Sequence, residues 1–427
     1  MSFGRSGTNY GRVGVAQRGY GGPQGLRTPR AGTFKTRQRP VAARLLSRDS
    51  VVWRMDWVLI ATVLALSVLG VLLVWSATEP ALAQQGASTR TYLDKQAVYV
   101  VLGLALMFAV SLIDYRQLRV YAPLVYGVAL LALLAVLTPL GSTVNGAKGW
   151  IDLPGGFQIE PSEYAKIALI LMSAMLFSEL RDDARGPAAG RSGPSLRDVG
   201  IVIACALPFI GLVIIQPALG ISMVLAAELA GLVLLSGIRL RWVIALAAAA
   251  VVAVVAVVNL HLLKGYQLQR LTSFLHPSAN AAGSGYNGIQ AKIAVGSGGM
   301  FGQGLFHGQS VSGSYVPAQS TDFIFTVAGQ ELGFVGAVVI VALLGVVIMR
   351  ALRIATRADD QFGMLVASGV AIWFLFQSFV NIGMTVGIMP ITGLPLPFIS
   401  YGGSSLFADM IAIGMLQSVH RKHHVFE

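Results

Sequence analysis

Apolar runs separated by short polar breaks recur along the whole of this chain after its first fifty residues. They lie at 57–76, 96–112, 121–140, 162–177, 199–215, 217–235, 242–262, 323–349, 363–384 and 400–417. Most approach the roughly 17 to 25 residues that a helix needs to cross about 30 Å of hydrocarbon, so the pattern predicts membrane helices and not barrel strands. Pro217 divides the fifth run from the sixth, and a single span over both would be 37 residues long. That is too long for one crossing, so the reading is ten.

Composition supports the same class. Hydrophobic residues make up 55% and charged residues 12% of the 427, with a mean hydropathy of +0.69, too little charge to cover a water-exposed surface. The predicted fold is an all-α polytopic membrane protein with about ten transmembrane helices and a long extracytoplasmic loop between the seventh and eighth. Basic residues orient it. Of 31 Lys and Arg, 24 fall in one alternate set of loops and termini and only 6 in the other, which predicts both termini in the cytoplasm.

Residues 1–50 are rich in Gly, Arg, Pro and Ser, without an acid before Asp49, and predict a disordered basic cytoplasmic tail. The membrane domain follows over 51–420, and 421–427 form a short cytoplasmic tail. The net charge of +12 lies mostly in the N-terminal tail and cytoplasmic loops, where topology and anionic lipid account for it better than nucleic acid does. Nothing before Trp57 has the form of a cleavable leader, so the first span reads as the anchor. Cys205 is the sole cysteine, which leaves no intramolecular disulfide and no thiolate metal cluster.

Polar information gathers in three outward segments. The first, GAKGWIDLPGGFQIEPSEYAK (146–166), brings Lys148, Trp150, Asp152, Glu160, Glu163 and Lys166 to one membrane face. Glu163 and Lys166, three apart, can pair on a helix. Interfacial anchoring by Trp150, snorkelling Lys and helix capping by Ser162 and Glu163 explains the same residues without a ligand. The second, 263–322, is the long loop, and Gly296, Gly298, Gly299, Gly302 and Gly304 suit either a re-entrant turn or a phosphate cradle. The third, GIMPITGLPLPFISYGGSS (387–405), carries three prolines and no charge. It fits a cavity wall as well as a rigid outer loop.

Against this background one acid stands out. From Leu229 to Thr321, 93 residues pass without Asp or Glu before Asp322. The run that follows, 323–349, would be about 40 Å long as one helix, at about 1.5 Å per residue, so Asp322 can reach the outer interface. An acid in the first helical turn after Ser320 and Thr321, complementing the helix macrodipole, is the plain alternative. Glu331 would be more buried and would need a partner, and Glu228 and Asp409 lie within spans where charge is costly.

Four ordered motifs carry a family resemblance: GAKGWI with QIEPSEYAKIALI, RLTSFLHP with GIQAKIAVGSGGMFGQGLF, TDFIFTVAGQELGFVG, and NIGMTVGIMPITGLPLPFISYGGSS. From about Trp57 to Gln417 the chain resembles the SEDS proteins (shape, elongation, division, sporulation), and the RodA branch more than the FtsW branch. The resemblance implies a peptidoglycan glycosyltransferase that polymerises lipid II into β-1,4 glycan strands at the outer face of the bacterial cytoplasmic membrane, for cell elongation and shape. It implies a class B penicillin-binding transpeptidase and other elongation-complex proteins as partners. A lipid II flippase or a noncatalytic scaffold for a cell-wall synthase would use a similar body.

Asp322 matches the family's essential acid in its Thr-Asp-Phe motif. Lys148 and Trp150 match its Gly-Ala-x-x-Trp motif, Glu163 and Lys166 its Pro-Ser-Glu segment, and Arg270 the opening of the long-loop motif; these are candidate substrate contacts. An α-linked diphosphate donor and a β-1,4 product imply inversion in one displacement. Asp322 would then be the base toward the acceptor 4-hydroxyl, and Lys148, Lys166 and Arg270 the diphosphate clamps, with a divalent cation (Mg or Mn) compatible with that clamp. Three departures stand out: Ala218 where the family carries an acid in its Gln-Pro-Asp-Leu-Gly segment, Gln330 where a second Glu is usual, and Ser320 where His is frequent.

Overall fold

A computed structural model describes residues 54–423 apart from 145–146, 154–156, 184–193, 260–273, 275–284 and 314. The basic tail and Arg270 lie outside the described residues. The chain begins with α1 (Trp57–Gln84), α2 (Thr91–Leu112) and α3 (Tyr115–Leu137), followed by the strands β1 (Gly141–Val144), β2 (Ala147–Leu153) and β3 (Phe157–Ile159). Next come α4 (Pro161–Asp183), α5 (Leu196–Ile215), α6 (Leu219–Leu235) and α7 (Leu240–Asn259). The C-terminal part holds α8 (Tyr286–Ser297), the short α9 (Gln309–Ser312) and α10 (Ile324–Glu331), then α11 (Gly333–Thr356), α12 (Gln361–Val386) and α13 (Gly403–His423).

Six of these, α1, α2, α3, α5, α11 and α12, are long and apolar enough to cross a membrane; α6 and the apolar part of α7 are shorter. The multi-span helical body agrees with the reading from hydropathy. Helices α4 and α13 occupy two further predicted spans, but buried Glu163, Lys166 and Asp409 dilute their hydrophobicity. The sheet was not anticipated. Its strands run antiparallel in the order β1-β2-β3, with Gly141 opposite Ile151 and Ile151 opposite Ile159. Strands β1 and β2 pack on α3, where the Lys148 ammonium donates to the Leu137 carbonyl at 3.2 Å.

The bundle's first end is fastened by Asp56. Its carboxylate caps α1 through the Leu59 amide at 3.1 Å and accepts from Arg350 Nε of α11 at 2.6 Å. Its backbone exchanges two hydrogen bonds with Gln417 of α13, at 2.9 and 3.0 Å. One acid therefore ties three helices, and a buried charge is tolerable because it is both paired and hydrogen-bonded.

The predicted continuous helix over 323–349 does not form. It breaks between α10 and α11 at Gly333, whose φ is +68°, because the glycine-rich segment 298–304 packs backbone against backbone at that point. Gly304 and Gln303 amides donate to the Glu331 and Gln330 carbonyls, both at 3.0 Å, and the Phe334 and Val335 amides donate to Gly299 and Met300. A Cβ on Gly302 would sit 2.1 Å from the Glu331 carbonyl oxygen, and one on Gly298 would sit 2.0 Å from that of Gly329. Close backbone approach explains these glycines, so the phosphate-cradle reading is set aside for them. Glu331 finds its partner in Ser76 of α1, whose hydroxyl donates to Oε1 at 2.6 Å.

Gly302 gives a stability prediction. Gly302→Ala should cost about 2–4 kcal/mol, from its φ of +81° together with the clash. Gly345→Ala, where an added Cβ meets nothing within 4 Å, should leave the melting temperature in detergent nearly unchanged. Equal melting temperatures for the two variants would contradict this packing.

Candidate functional site

Asp322 lies in the turn that precedes α10, half-buried, with Phe323 and not Asp322 at the helix N-cap. The acid expected in the first helical turn thus stands ahead of that turn, which holds none. What fixes the turn is the neutral segment 387–402 together with α12. The carbonyls of Ser320, Thr321 and Asp322 each accept a hydrogen bond: from the Tyr401 amide at 2.8 Å, the Ser400 hydroxyl at 2.6 Å and the Asn381 Nδ2 at 2.8 Å. Asn381 also donates to the Leu394 carbonyl at 2.6 Å, and Ser400 Oγ accepts from the Leu396 amide at 2.7 Å.

Segment 387–402 is thus a wall, with Leu394, Leu396, Phe398 and Ile399 buried. Glycine is required where this wall meets the acid. Gly393 has φ +75°, and a Cβ there would stand 3.4 Å from Asp322 Oδ2. Behind the wall, Gln377 of α12 donates to the Pro395 carbonyl at 2.8 Å, and the Phe398 amide donates to Asp409 Oδ2 at 3.2 Å. On its far side the wall rests on α6, where Gly220 admits Leu394 and Thr392.

Glu163 and Lys166 pair as their spacing predicts, at 2.6 Å, both at 1% exposure or less. Lys166 also donates to Gln377 Oε1 at 2.9 Å and stands 4.2 Å from the centre of the Trp373 ring, whose indole N–H donates to the same Gln377 oxygen at 2.6 Å. Glu228 of α6 and Asp409 of α13 lie in electrostatic range of this pair. Both Glu228 carboxylate oxygens lack a hydrogen-bond partner among the described residues. The cluster is buried, and Gln377 links it to the wall through the Pro395 carbonyl.

Lys148 and half-buried Trp150 sit on β2, where Ser142 donates to the Trp150 carbonyl at 3.3 Å. The contact described for the Lys148 ammonium is with the end of α3, not with Asp322. The sheet is joined to α13 by Ser404, which donates to the Gln158 carbonyl and accepts from the Glu160 amide, both at 2.9 Å. Among the described residues no three His, Cys, Asp or Glu side chains assemble as a metal-binding group, so no step is routed through a divalent cation.

Glu160 lies at the edge of this site, just ahead of α4. Its carboxyl is withdrawn from water although the residue keeps some exposure. That burial and the neighbouring Glu163 push it up to about 8, Asp322 adding to the rise, while the Ser162 hydroxyl at 2.9 Å and Lys166 oppose it. An acid raised in the folded state favours folding at low pH, and that contribution is lost as pH climbs from the ordinary carboxylate range through about 8. The melting temperature should therefore fall over that window in the natural chain and fall less in Glu160→Gln. Identical slopes would contradict the assignment.

Reading the residues alone missed Asn381, Ser400, Gln377 and Ser404. A signal existed for two of them. Gln377 and Asn381 are polar, four residues apart and hence on one face of an otherwise apolar helix, which marks a buried polar contact.

Comparison with known proteins agrees with this architecture. The family model for FtsW, RodA and SpoVE, described as cell cycle proteins, matches residues 56–425. The probable peptidoglycan glycosyltransferase FtsW of Trichlorobacter lovleyi is 37% identical over 365 residues, 85% of this chain and 92% of that one. The peptidoglycan glycosyltransferase MrdB of Escherichia coli is 36% identical over 366 residues, 86% and 93% of the two chains. Among solved structures, the Thermus thermophilus rod shape determining protein RodA superposes with a TM-score of 0.62 at 29% identity, covering 87% of this chain and 98% of that one. A chain of a peptidoglycan synthase complex, described as coordinating polymerization and crosslinking, gives 0.70 at 30% identity with 87% and 99% covered. A match over nearly all the described residues, on a fold with the same shape, leaves one placement: this chain belongs to the FtsW/RodA/SpoVE family of cell cycle proteins.

Proposed function

We propose that this chain is a peptidoglycan glycosyltransferase that polymerises lipid II into β-1,4 glycan strands at the outer face of a bacterial cytoplasmic membrane, serving elongation and shape. The observation that carries the reading is the backbone-fixed turn at Asp322, held by Asn381, Ser400 and Tyr401. A base must meet its proton within hydrogen-bond reach, and a fixed backbone limits the carboxylate to the few rotamers of a short side chain. Asp322 takes the proton of the acceptor 4-hydroxyl as the oxygen attacks the donor's anomeric carbon and the diphosphate departs.

The leaving diphosphate needs positive charge more than a proton, which is the role assigned to Arg270 and Lys148. Lys148 must exchange its Leu137 contact for the phosphate to serve. Trp150 offers its ring to the head group. Glu163 and Lys166 support the site from behind the wall through Gln377 and Pro395, and touch substrate only if segment 387–402 moves. Both termini face the cytoplasm, and a class B penicillin-binding transpeptidase is the partner in this reading, supported by the family and by the fold shared with a chain of a synthase complex.

The test is reconstitution. Purified chain with its transpeptidase partner should convert lipid II into glycan strands resolved on a gel. Transfer of lipid II across vesicle bilayers with no strands formed would favour a flippase, and neither activity would favour a scaffold.

A further inference from the structure

Asn381 stands between the turn that carries Asp322 and the wall of segment 387–402. It is fully buried in α12, and nothing in the motif resemblance gives it a role. Its amide nitrogen reaches two main-chain carbonyls that belong to different segments, Asp322 O at 2.8 Å and Leu394 O at 2.6 Å. It therefore bridges the turn carrying the acid to the wall carrying Gly393, where an added Cβ would stand 3.4 Å from Asp322 Oδ2. Ser400 makes a second bridge of the same kind, donating to Thr321 O at 2.6 Å while accepting from the Leu396 amide at 2.7 Å. Both residues act on main chain, so neither competes for the carboxylate.

We infer that Asn381, seconded by Ser400, is the positioning residue of the site: it sets where the Asp322 carboxylate stands relative to segment 393–401, and through that the alignment of base and acceptor hydroxyl. The inference rests on the reading of Asp322 as the base. Leucine at 381 has the branching of asparagine and no donor, so it would leave the Asp322 and Leu394 carbonyls without this partner and let turn and wall move apart. A displacement near 1 Å at a reacting group costs about a hundredfold in rate while leaving substrate binding largely intact. That separates positioning from recognition.

The experiment compares steady-state polymerisation of lipid II by the chain in complex with its transpeptidase partner. Asn381→Leu should lower kcat about 10- to 100-fold with KM changed less than about threefold, and Ser400→Ala should lower kcat about 3- to 10-fold. Asp322→Glu carries a base on a longer arm that is already misplaced; in that background Asn381→Leu should cost less than about threefold more. The same fold-loss in both backgrounds, a loss confined to KM, or normal kcat in Asn381→Leu would overturn the inference. If Asn381→Leu fails to fold on size exclusion, Ser400→Ala carries the same comparison. If Asp322→Glu is inactive, the split between kcat and KM decides. Full activity in Asp322→Asn would instead remove the base assignment itself, an outcome distinct from normal kcat in Asn381→Leu beside a dead Asp322→Asn.

Discussion

Lys166→Met should be among the most destabilising single substitutions in this protein, at about 3–5 kcal/mol, the cost of leaving a buried charge without its partner. The ammonium is fully buried, pairs with Glu163 at 2.6 Å, bonds Gln377 at 2.9 Å and lies over Trp373. Glu228 and Asp409 also feel it. Four carboxyl groups, Glu160 among them, thus feel one cation. Removing the cation leaves all four without it, whereas Glu163→Gln leaves Lys166 with three acids still in range. An asymmetry follows: Glu163→Gln should lower the melting temperature in detergent less than Lys166→Met, and the double variant should be no less stable than Lys166→Met alone. Equal losses from the two single variants would show that Glu163 alone balances the lysine.

How much of this could be read beforehand differs between the body and the site. Long apolar runs announce membrane helices because a bilayer demands a fixed length of apolar surface, so each run meets a helix, though ends differ where helices run on into polar sequence, as α1 does to Gln84 and α3 from Tyr115. The break at Gly333 was hidden. Residues 323–349 are continuously apolar apart from a few polar positions, and only the tertiary approach of the glycine segment 298–304 interrupts them. The sheet over 141–159 was hidden because its strands are only three to seven residues long, and Gly and Pro interrupt the sequence between them.

At the site, motif spacing pointed to Asp322 and to the Glu163–Lys166 pair. It could not show that the pair is enclosed behind segment 387–402. Nor could it choose between a cavity wall and a rigid outer loop for that segment, because the answer lies in hydrogen bonds donated to the carbonyls of residues 320 and 321, some eighty positions earlier in the chain. Spacing with Gln377 marks Asn381 as a buried polar contact, but its partners are main-chain atoms of Asp322 and Leu394, which no side-chain pattern names.

The second large effect concerns Asp322→Asn. Asparagine keeps the shape of the side chain and one acceptor oxygen but loses the basic carboxylate, so polymerisation should fall at least about 10²- to 10⁴-fold, the range attributable to a positioned general base. The turn itself should survive. Its three fastening bonds go to the carbonyls of residues 320, 321 and 322, and the substitution touches none of them. The melting temperature should move by no more than about 4 °C, which for a chain of this size corresponds to a loss near 1 kcal/mol or somewhat above. Association with the transpeptidase partner should be unchanged.

The most direct measurement is the initial rate of glycan-strand formation from saturating lipid II, taken for the natural chain and for Asp322→Asn as purified complexes with the same transpeptidase partner. Strands from the natural chain and a rate at least about a hundredfold lower from the variant, with folding and partner binding intact, are the predicted result. Equal rates from the two complexes would contradict Asp322 as the base.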